Sequence, residues 1–531
     1  MLNLLLFSCA RVGAPNGGTR DSLAPKFLGS NIDTTRLNVS RTVKELRLDF
    51  DEYVMLKDFN KNFNVSPPIK KIKKVIPSNL ANKYVLIQWE DTLQANTTYN
   101  FNFGNAIVDN NESNPLPYFN FAFSTGDKID DLFVSGTVKD AMTLIKENQT
   151  AKDNKMVVGL YKAGENLDYK QKPDYITKVD EENYFELNFL PKGEFVIIAF
   201  DDENQNSVYD AGKEKVSFLK EKITLDSTSV RGLKLKLYPS KKVVKYKESK
   251  AINGGLLMTF EGNPETVDVK SLSEELKDFK VTHAKRSDSV NIWFDAEKSN
   301  LGGTVSKQVK LSYFTPTISD TISVSYKAVK DEFKLSNEAG NLIAPENNFV
   351  INTSLPIENL NTSSWKLESD SIAQDFTAKI SEKNPFKILV NSSFKPTKKY
   401  VLTIPKETVS SYYSSNDKSF QFQFEIDKPE NYGSFTAVIK NKPTAKFWVE
   451  LTNEKGEILY SQFTNASEVS FKNLKPATYI ARIRVDNNGN GFWDEADFAQ
   501  NIAAEDVYIF EKEINVRPLW EIKEDWELTN N

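Results

Sequence analysis

Apolar and polar residues alternate along most of this chain, and no other feature restricts its fold as much. Leu46, Leu48 and Phe50 are separated by Arg47 and Asp49; Tyr99, Phe101 and Phe103 follow the same rule, as do Phe119, Phe121 and Phe123. Successive side chains of a strand point to opposite faces of a sheet, so each run lines one buried face. The runs are short and end at Asn, Asp, Gly or Pro, while helical periodicity is scarce. The expected fold class is all-β, as tandem β-sandwiches. At 531 residues, against about 100 to 200 per domain, the chain holds three to five of them.

Internal repeats make that count sharper. Tyr99, Phe119, Phe121 and Phe123 recur as Tyr400, Phe420, Phe422 and Phe424, each displaced by 301 positions. Leu187, Leu190 and Phe195 recur as Phe471, Leu474 and Tyr479, displaced by 284, and both stretches run into an Asp/Asn-rich turn. The expected order is therefore an immunoglobulin-like module at 25–128, a prealbumin-like (carboxypeptidase-regulatory-like) sandwich at 129–240, an immunoglobulin-like or other β-sandwich at 241–336, and copies of the first two at 337–428 and 429–531.

Composition removes most chemistry. One histidine, His283, and one cysteine, Cys9, exclude zinc clusters, disulfide frameworks and Cys–His catalysis. His283 has no Ser/Asp arrangement around it and reads as structural. A net charge of -5 offers no basic surface for nucleic acid. Lys70, Lys71, Lys73 and Lys74 read instead as a guarded edge strand. An enzyme is not expected.

Cys9 follows the apolar run Leu2, Leu4, Leu5, Leu6 and Phe7, and Leu6-Phe7-Ser8-Cys9 resembles a bacterial lipobox. The resemblance implies a signal peptide at 1–8, cleavage before Cys9 and lipid on its thiol. Two or three acyl chains would hold the protein to a membrane. The run is shorter than a usual leader core and has no Lys or Arg before it, so the start codon is expected upstream. Residues 9–24, rich in Gly, Pro, Asn and Ser, read as a tether. No later apolar stretch reaches the roughly 18 residues of a spanning helix.

The tether, Ala24-Pro25, Phe50-Asp51-Glu52, Leu93 to Tyr99, Ala106 to Asp109, Phe121 to Gly126, Tyr175-Ile176-Thr177, Asp202 to Asp210 and Val516 to Trp526 together resemble the bacterial immunoglobulin-like lipoproteins of Bacteroidota. The resemblance implies an outer-membrane lipoprotein with no catalytic chemistry. It is expected at the cell surface rather than the periplasmic face, although the acidic run that usually directs surface export does not follow Cys9.

Two loops are the best candidate sites. Asp486, Asn488, Asn490, Asp494 and Asp497 fall at positions one, three, five, nine and twelve of a loop with Gly491 at six, a spacing that suits Ca²⁺. Asp202, Asn204, Asn206 and Asp210 repeat four of these, with Ser207 for Gly and Lys213 at twelve. Both loops lie between strands, and each is also readable as a polar hairpin bonding its own backbone. Asp-Ser/Thr-aliphatic triplets at Ser22, Thr34, Thr92, Ser227, Ser289, Thr321 and Ser371 resemble the O-glycosylation signal of Bacteroidota, of which two or three sites are expected to carry sugar. Trp520 and Trp526 are readable as core or as a docking surface.

Two functions follow. The first is a lipid-anchored structural or interaction subunit of an outer-membrane complex, with β-barrels or other lipoproteins as partners. The alternative is a cell-surface carbohydrate-binding or adhesin-type protein with Ca²⁺-stiffened modules, which a clustered, exposed aromatic platform on one sandwich would favour.

Overall fold

The structure is a computed structural model that describes residues 21–144, 155–164, 168–329, 332–338 and 340–529. The leader at 1–8, Cys9 and tether residues 10–20 lie outside the described residues. Regular structure is almost entirely strand; the only helical pieces among the described residues are Phe59–Asn62 and two short 3-10 turns. No helix is long and apolar enough to cross a membrane. The chain divides into two compact units: one ends at Leu237, and the other runs from Tyr238 and takes in short stretches beginning at Asp140 and Ala211.

The first unit opens with an immunoglobulin-like sandwich. One sheet runs Phe27–Ser30, Glu45–Leu56, Asn82–Trp89, Ile72–Ile76, with Ile107–Asp109 added to Glu45–Leu56; the facing sheet is Asn64–Ser66, Thr98–Gly104, Phe119–Ser124. The alternation read in the sequence becomes the inner surface: Leu46, Leu48, Phe101, Phe103, Phe121 and Phe123 are all buried. Each large apolar side chain so placed contributes about 1.5–3 kcal/mol. Ile72–Ile76 is an edge strand with Lys73 and Lys74 exposed, which keeps other strands from pairing there.

The second sandwich pairs Tyr175–Lys178, Met156–Lys162, Gly193–Asp201 and Val216–Phe218, with Ile223–Leu225 also on Gly193–Asp201, against Tyr184–Leu190, Leu132–Asp140 and Val230–Leu237. Its core joins Val134, Leu160, Phe185, Phe195 and Ile197.

The second unit contains three further cores. In the first, Lys245–Ile252, Gly255–Glu261, Ser289–Trp293 and Lys280–His283 face Asp268–Ser271, Lys307–Phe314 and Ser319–Tyr326. By chain order this is first-second-fifth-fourth against third-sixth-last, the order of the opening sandwich, although no sequence repeat marks it. The next core carries the 301-residue displacement into three dimensions: the Tyr99 hydroxyl accepts the Gln94 N–H at 2.8 Å, and the Tyr400 hydroxyl accepts the Lys395 N–H at 2.8 Å. The last sandwich, Ile458–Thr464, Phe447–Thr452, Ala477–Val485 and Val507–Ile509 against Glu468–Leu474, Gly433–Lys440 and Glu521–Glu527, repeats the strand order of the second.

The two terminal tryptophans part company. Trp526 is core, packed on Phe510, so it is no docking residue; Trp520 is 48% exposed. His283 sits on a strand, its Nε2 3.1 Å from the Ser287 carbonyl.

Candidate functional site

The Asp/Asn loops leave the strands Gly193–Asp201 and Ala477–Val485, as the sequence places them. They fold alike, position by position. In the earlier loop the Asp202 carboxylate accepts the N–H groups of Asn206 and Ser207, both at 3.0 Å, Asn206 Oδ1 accepts the Val208 N–H, and the Asn204 amide donates to Asp210 at 2.7 Å. In the later loop Asp486 accepts the N–H groups of Asn490 and Gly491 at 3.0 Å, Asn490 Oδ1 accepts the Phe492 N–H, and the Asn488 amide donates to Asp494 at 2.6 Å. Gly489 and Gly491 hold φ of 71° and 81°; Gln205 and Ser207 take the same left-handed turn at 58° and 62°. A side chain in that region costs about 1–2 kcal/mol, so the earlier loop keeps the shape without the residue that makes it easy.

The later loop adds partners. The Asn490 amide also donates to Asp494, at 2.7 Å. Glu505, buried, accepts the Asn488 N–H at 3.1 Å and the Asp494 N–H at 2.9 Å. Arg286, from the sandwich that begins at Lys245, donates to Asp494 at 2.7 Å and to Glu265 at 2.6 Å, and its guanidinium lies 4.6 Å from the centre of the Phe492 ring. Burial works to raise the Asp494 carboxyl, but the two amides and Arg286 outweigh it and hold it below its ordinary range. Glu265 is lowered against burial by Arg286 and Lys285. Glu505 goes up, mainly because it is buried.

Asp497 does not join this cluster. Its carboxylate accepts the Gln500 N–H and its backbone pairs with Ile502 in a separate turn. Glu505 takes the place that the spacing gave to Asp497. The counterpart of Glu505 in the second sandwich is Glu214, likewise two residues before a strand of the sheet. Asp486, Asn488, Asn490, Asp494 and Glu505 supply three carboxylates and two amide oxygens, a donor chemistry that fits Ca²⁺. As they stand these oxygens are satisfied by protein donors, and among the described residues no three His, Cys, Asp or Glu side chains converge as a metal site.

Beside the later loop lies a feature that neither motif nor spacing revealed. On the outer face of the last sandwich Glu450, fully buried, accepts from Arg482 at 2.9 and 2.7 Å and from Arg484 at 2.9 Å. Trp448 stacks on Phe463 with ring centroids 4.4 Å apart, Lys446 lies over Phe463, and Arg484 lies 5.8 Å from both Trp448 and Trp493. The signal was present in the repeat: the 284-residue displacement carries Ile198, Phe200 and Tyr209 onto Arg482, Arg484 and Trp493. Strand pairing sets Gly159 against Ile198 and Glu450 against Arg482.

Of the seven triplet hydroxyls, Ser22, Thr34, Thr92, Ser227, Thr321 and Ser371 are exposed; Ser289 is half-buried and donates to Asp288 at 2.7 Å.

The bacterial Ig-like domain family matches residues 21–125. A search of curated proteins finds no match. Among solved structures, domains 1–6 of the surface layer protein SbsC are 12% identical, with 93% of this chain and 67% of that one covered at a TM-score of 0.16. SGBP-B of the Bacteroides ovatus mixed-linkage glucan utilization locus, solved with a mixed-linkage heptasaccharide, is 8% identical over 73% of this chain and 94% of its own, at 0.20. BcpA, the major pilin subunit of Bacillus cereus, is 12% identical over 75% and 99%, at 0.13.

Proposed function

We propose that this chain is a non-catalytic cell-surface binding protein, held to the outer membrane by lipid on Cys9, whose last sandwich presents a glycan-binding face. The observation that carries this reading is the row Phe463, Trp448 and Arg484 across one sheet, with Trp493 of the following loop beside Arg484. Aromatic rings offer broad, rigid apolar area to the C–H faces of sugar rings. Phe463 is 44% exposed beside half-buried Trp448. Glu450 fixes the two guanidinium groups in orientation. Lys446 over Phe463 and the partly exposed Arg484 give the face positive charge, with Arg482 buried beneath against Glu450, and so favour an acidic polysaccharide.

The reading is tested by affinity electrophoresis of the full chain through gels holding polygalacturonate or neutral β-glucan. Retardation by polygalacturonate is expected, and its loss in the Trp448→Ala, Phe463→Ala double variant. Equal migration of the two proteins sinks the glycan face.

The interaction-subunit reading keeps a specific support of its own, in the open sheet edge beside this face.

A further inference from the structure

Sheet edges invite unwanted pairing, and proteins guard them with short strands, charge or cover. Among the described residues, every edge strand of seven or more residues carries a charged side chain except one. Ile458–Thr464, sequence ILYSQFT, is seven residues long, uncharged, and pairs only with Phe447–Thr452. Leu459 and Phe463 stand 49% and 44% exposed on it. Its counterpart in the second sandwich, Tyr175–Lys178, is four residues long, follows Pro173, and its Ile176 N–H is taken by the Ser66 hydroxyl of the first sandwich. One copy of this edge is short and covered, the other long and bare.

A groove of about 440 Å³ runs along Tyr460, Ser461 and Gln462, with Ile343, Asn347 and Val350 of the preceding sandwich across from them. The Asn473 amide, donating to the Pro345 carbonyl at 2.9 Å, pins that wall. The space suits a single extended chain rather than a folded domain. Lys446, Lys472 and Lys475 flank the strand and the groove, and Glu338 on the far wall is already paired with Lys387.

We propose that Ile458–Thr464 is a strand-addition site for an extended segment of a partner polypeptide whose side chains alternate between apolar and carboxylate-bearing. Main-chain hydrogen bonds to the open edge give the affinity; Leu459 and Phe463 receive the apolar side chains, and the lysines select the carboxylates.

The test titrates the full chain into a fluorescein-labelled peptide of alternating valine and aspartate and follows polarisation. Saturable binding is expected. The same peptide N-methylated at every second residue, unable to donate along one edge, is expected to lose it. Leu459→Ser is expected to weaken binding by roughly tenfold and to leave retardation by polygalacturonate unchanged, because Leu459 lies on the edge and not in the ring pair Trp448–Phe463. The two proposals therefore fail separately. No binding at millimolar protein, or equal binding of the N-methylated peptide to the unmodified protein, overturns the site. So does an unliganded dimer that the peptide dissociates, which would give the edge to a second copy of the chain.

Discussion

The second and last sandwiches share a strand order and a loop, yet their outer faces have opposite chemistry. In the second, Val157, Gly159, Ile198 and Phe200 form an apolar patch. Pro173 lies so close over Gly159 that a Cβ there would meet it at 2.4 Å. Pro173 belongs to the connection between Met156–Lys162 and Tyr175–Lys178 and so covers this part of the sheet. In the last, the same four positions are Trp448, Glu450, Arg482 and Arg484, and the connection shrinks to the turn between Thr452 and Ile458. A face covered by its own loop can be apolar, whereas a bare one has to satisfy water or a ligand. The two sandwiches share strand order and apolar inner faces and differ in their outer ones.

The two outer faces differ most at Glu450, which stands where the second sandwich has Gly159. Glu450→Ala leaves Arg482, 7% exposed, with its charge uncompensated, and breaking a buried pair costs about 3–5 kcal/mol. Calorimetry of the full chain is expected to show the last sandwich melting earlier. Joint replacement Glu450→Val, Arg482→Ile and Arg484→Phe, which imports the apolar face, is expected to recover most of the loss. A triple variant as unstable as the single one removes the buried charges as the cause.

Calcium separates the loops next. We propose that the later loop takes Ca²⁺ through Asp486, Asn488, Asn490, Asp494 and Glu505, and more tightly than the earlier one, whose turn carries Ser207 in place of Gly491. At a hundredfold excess over Kd the ion would stabilise by about 2.7 kcal/mol. The melting temperature of the full chain is expected to rise with Ca²⁺ and fall with chelator, a response that Glu505→Gln abolishes and Asp202→Asn largely spares. Melting indifferent to both additions leaves the loop a hairpin satisfied by its own donors.

Arg286 gives the smallest effect and the one with a pH signature. Its ion pairs are partly exposed, at 24% for Arg286, 41% for Glu265 and 26% for Asp494, so after solvent screening Arg286→Ala should cost only about 1 kcal/mol. The folded carboxyls of Asp494 and Glu265 titrate below their unfolded values. Their contribution is thus full above the unfolded carboxyl range, about pH 4, and is lost as pH falls through the lower folded values. Wild-type and variant melting curves are expected to differ at pH 7 and to converge in acid; a gap that persists unchanged in acid would rule out the ion pairs.

The inner face of the first sandwich was legible residue by residue, because a period of two has only one structural meaning, and the repeats extended it to single positions such as Tyr400, Phe424, Phe471 and Leu474. Leu46, Leu48, Phe101 and Phe123 needed no neighbours to be assigned to the core. The middle sandwich, with alternation but no repeat, took its strand order only from hydrogen-bond pairing. The loop positions Asp486, Asn488, Asn490 and Asp494 were also legible, being close in sequence.

Residues close along the chain encode local structure: strand content, repeats, turns and the Asp/Asn pattern. Which distant residues meet them is set by the fold. Glu505 replaces Asp497 because a strand returns past the loop, Arg286 arrives from another sandwich, and Glu450 is buried between two arginines on a neighbouring strand. Spacing along the chain governs what one strand or turn can present, but contacts across strands depend on register and on which faces are left bare. Those are properties of the folded assembly of sheets, and no periodicity within one segment encodes them.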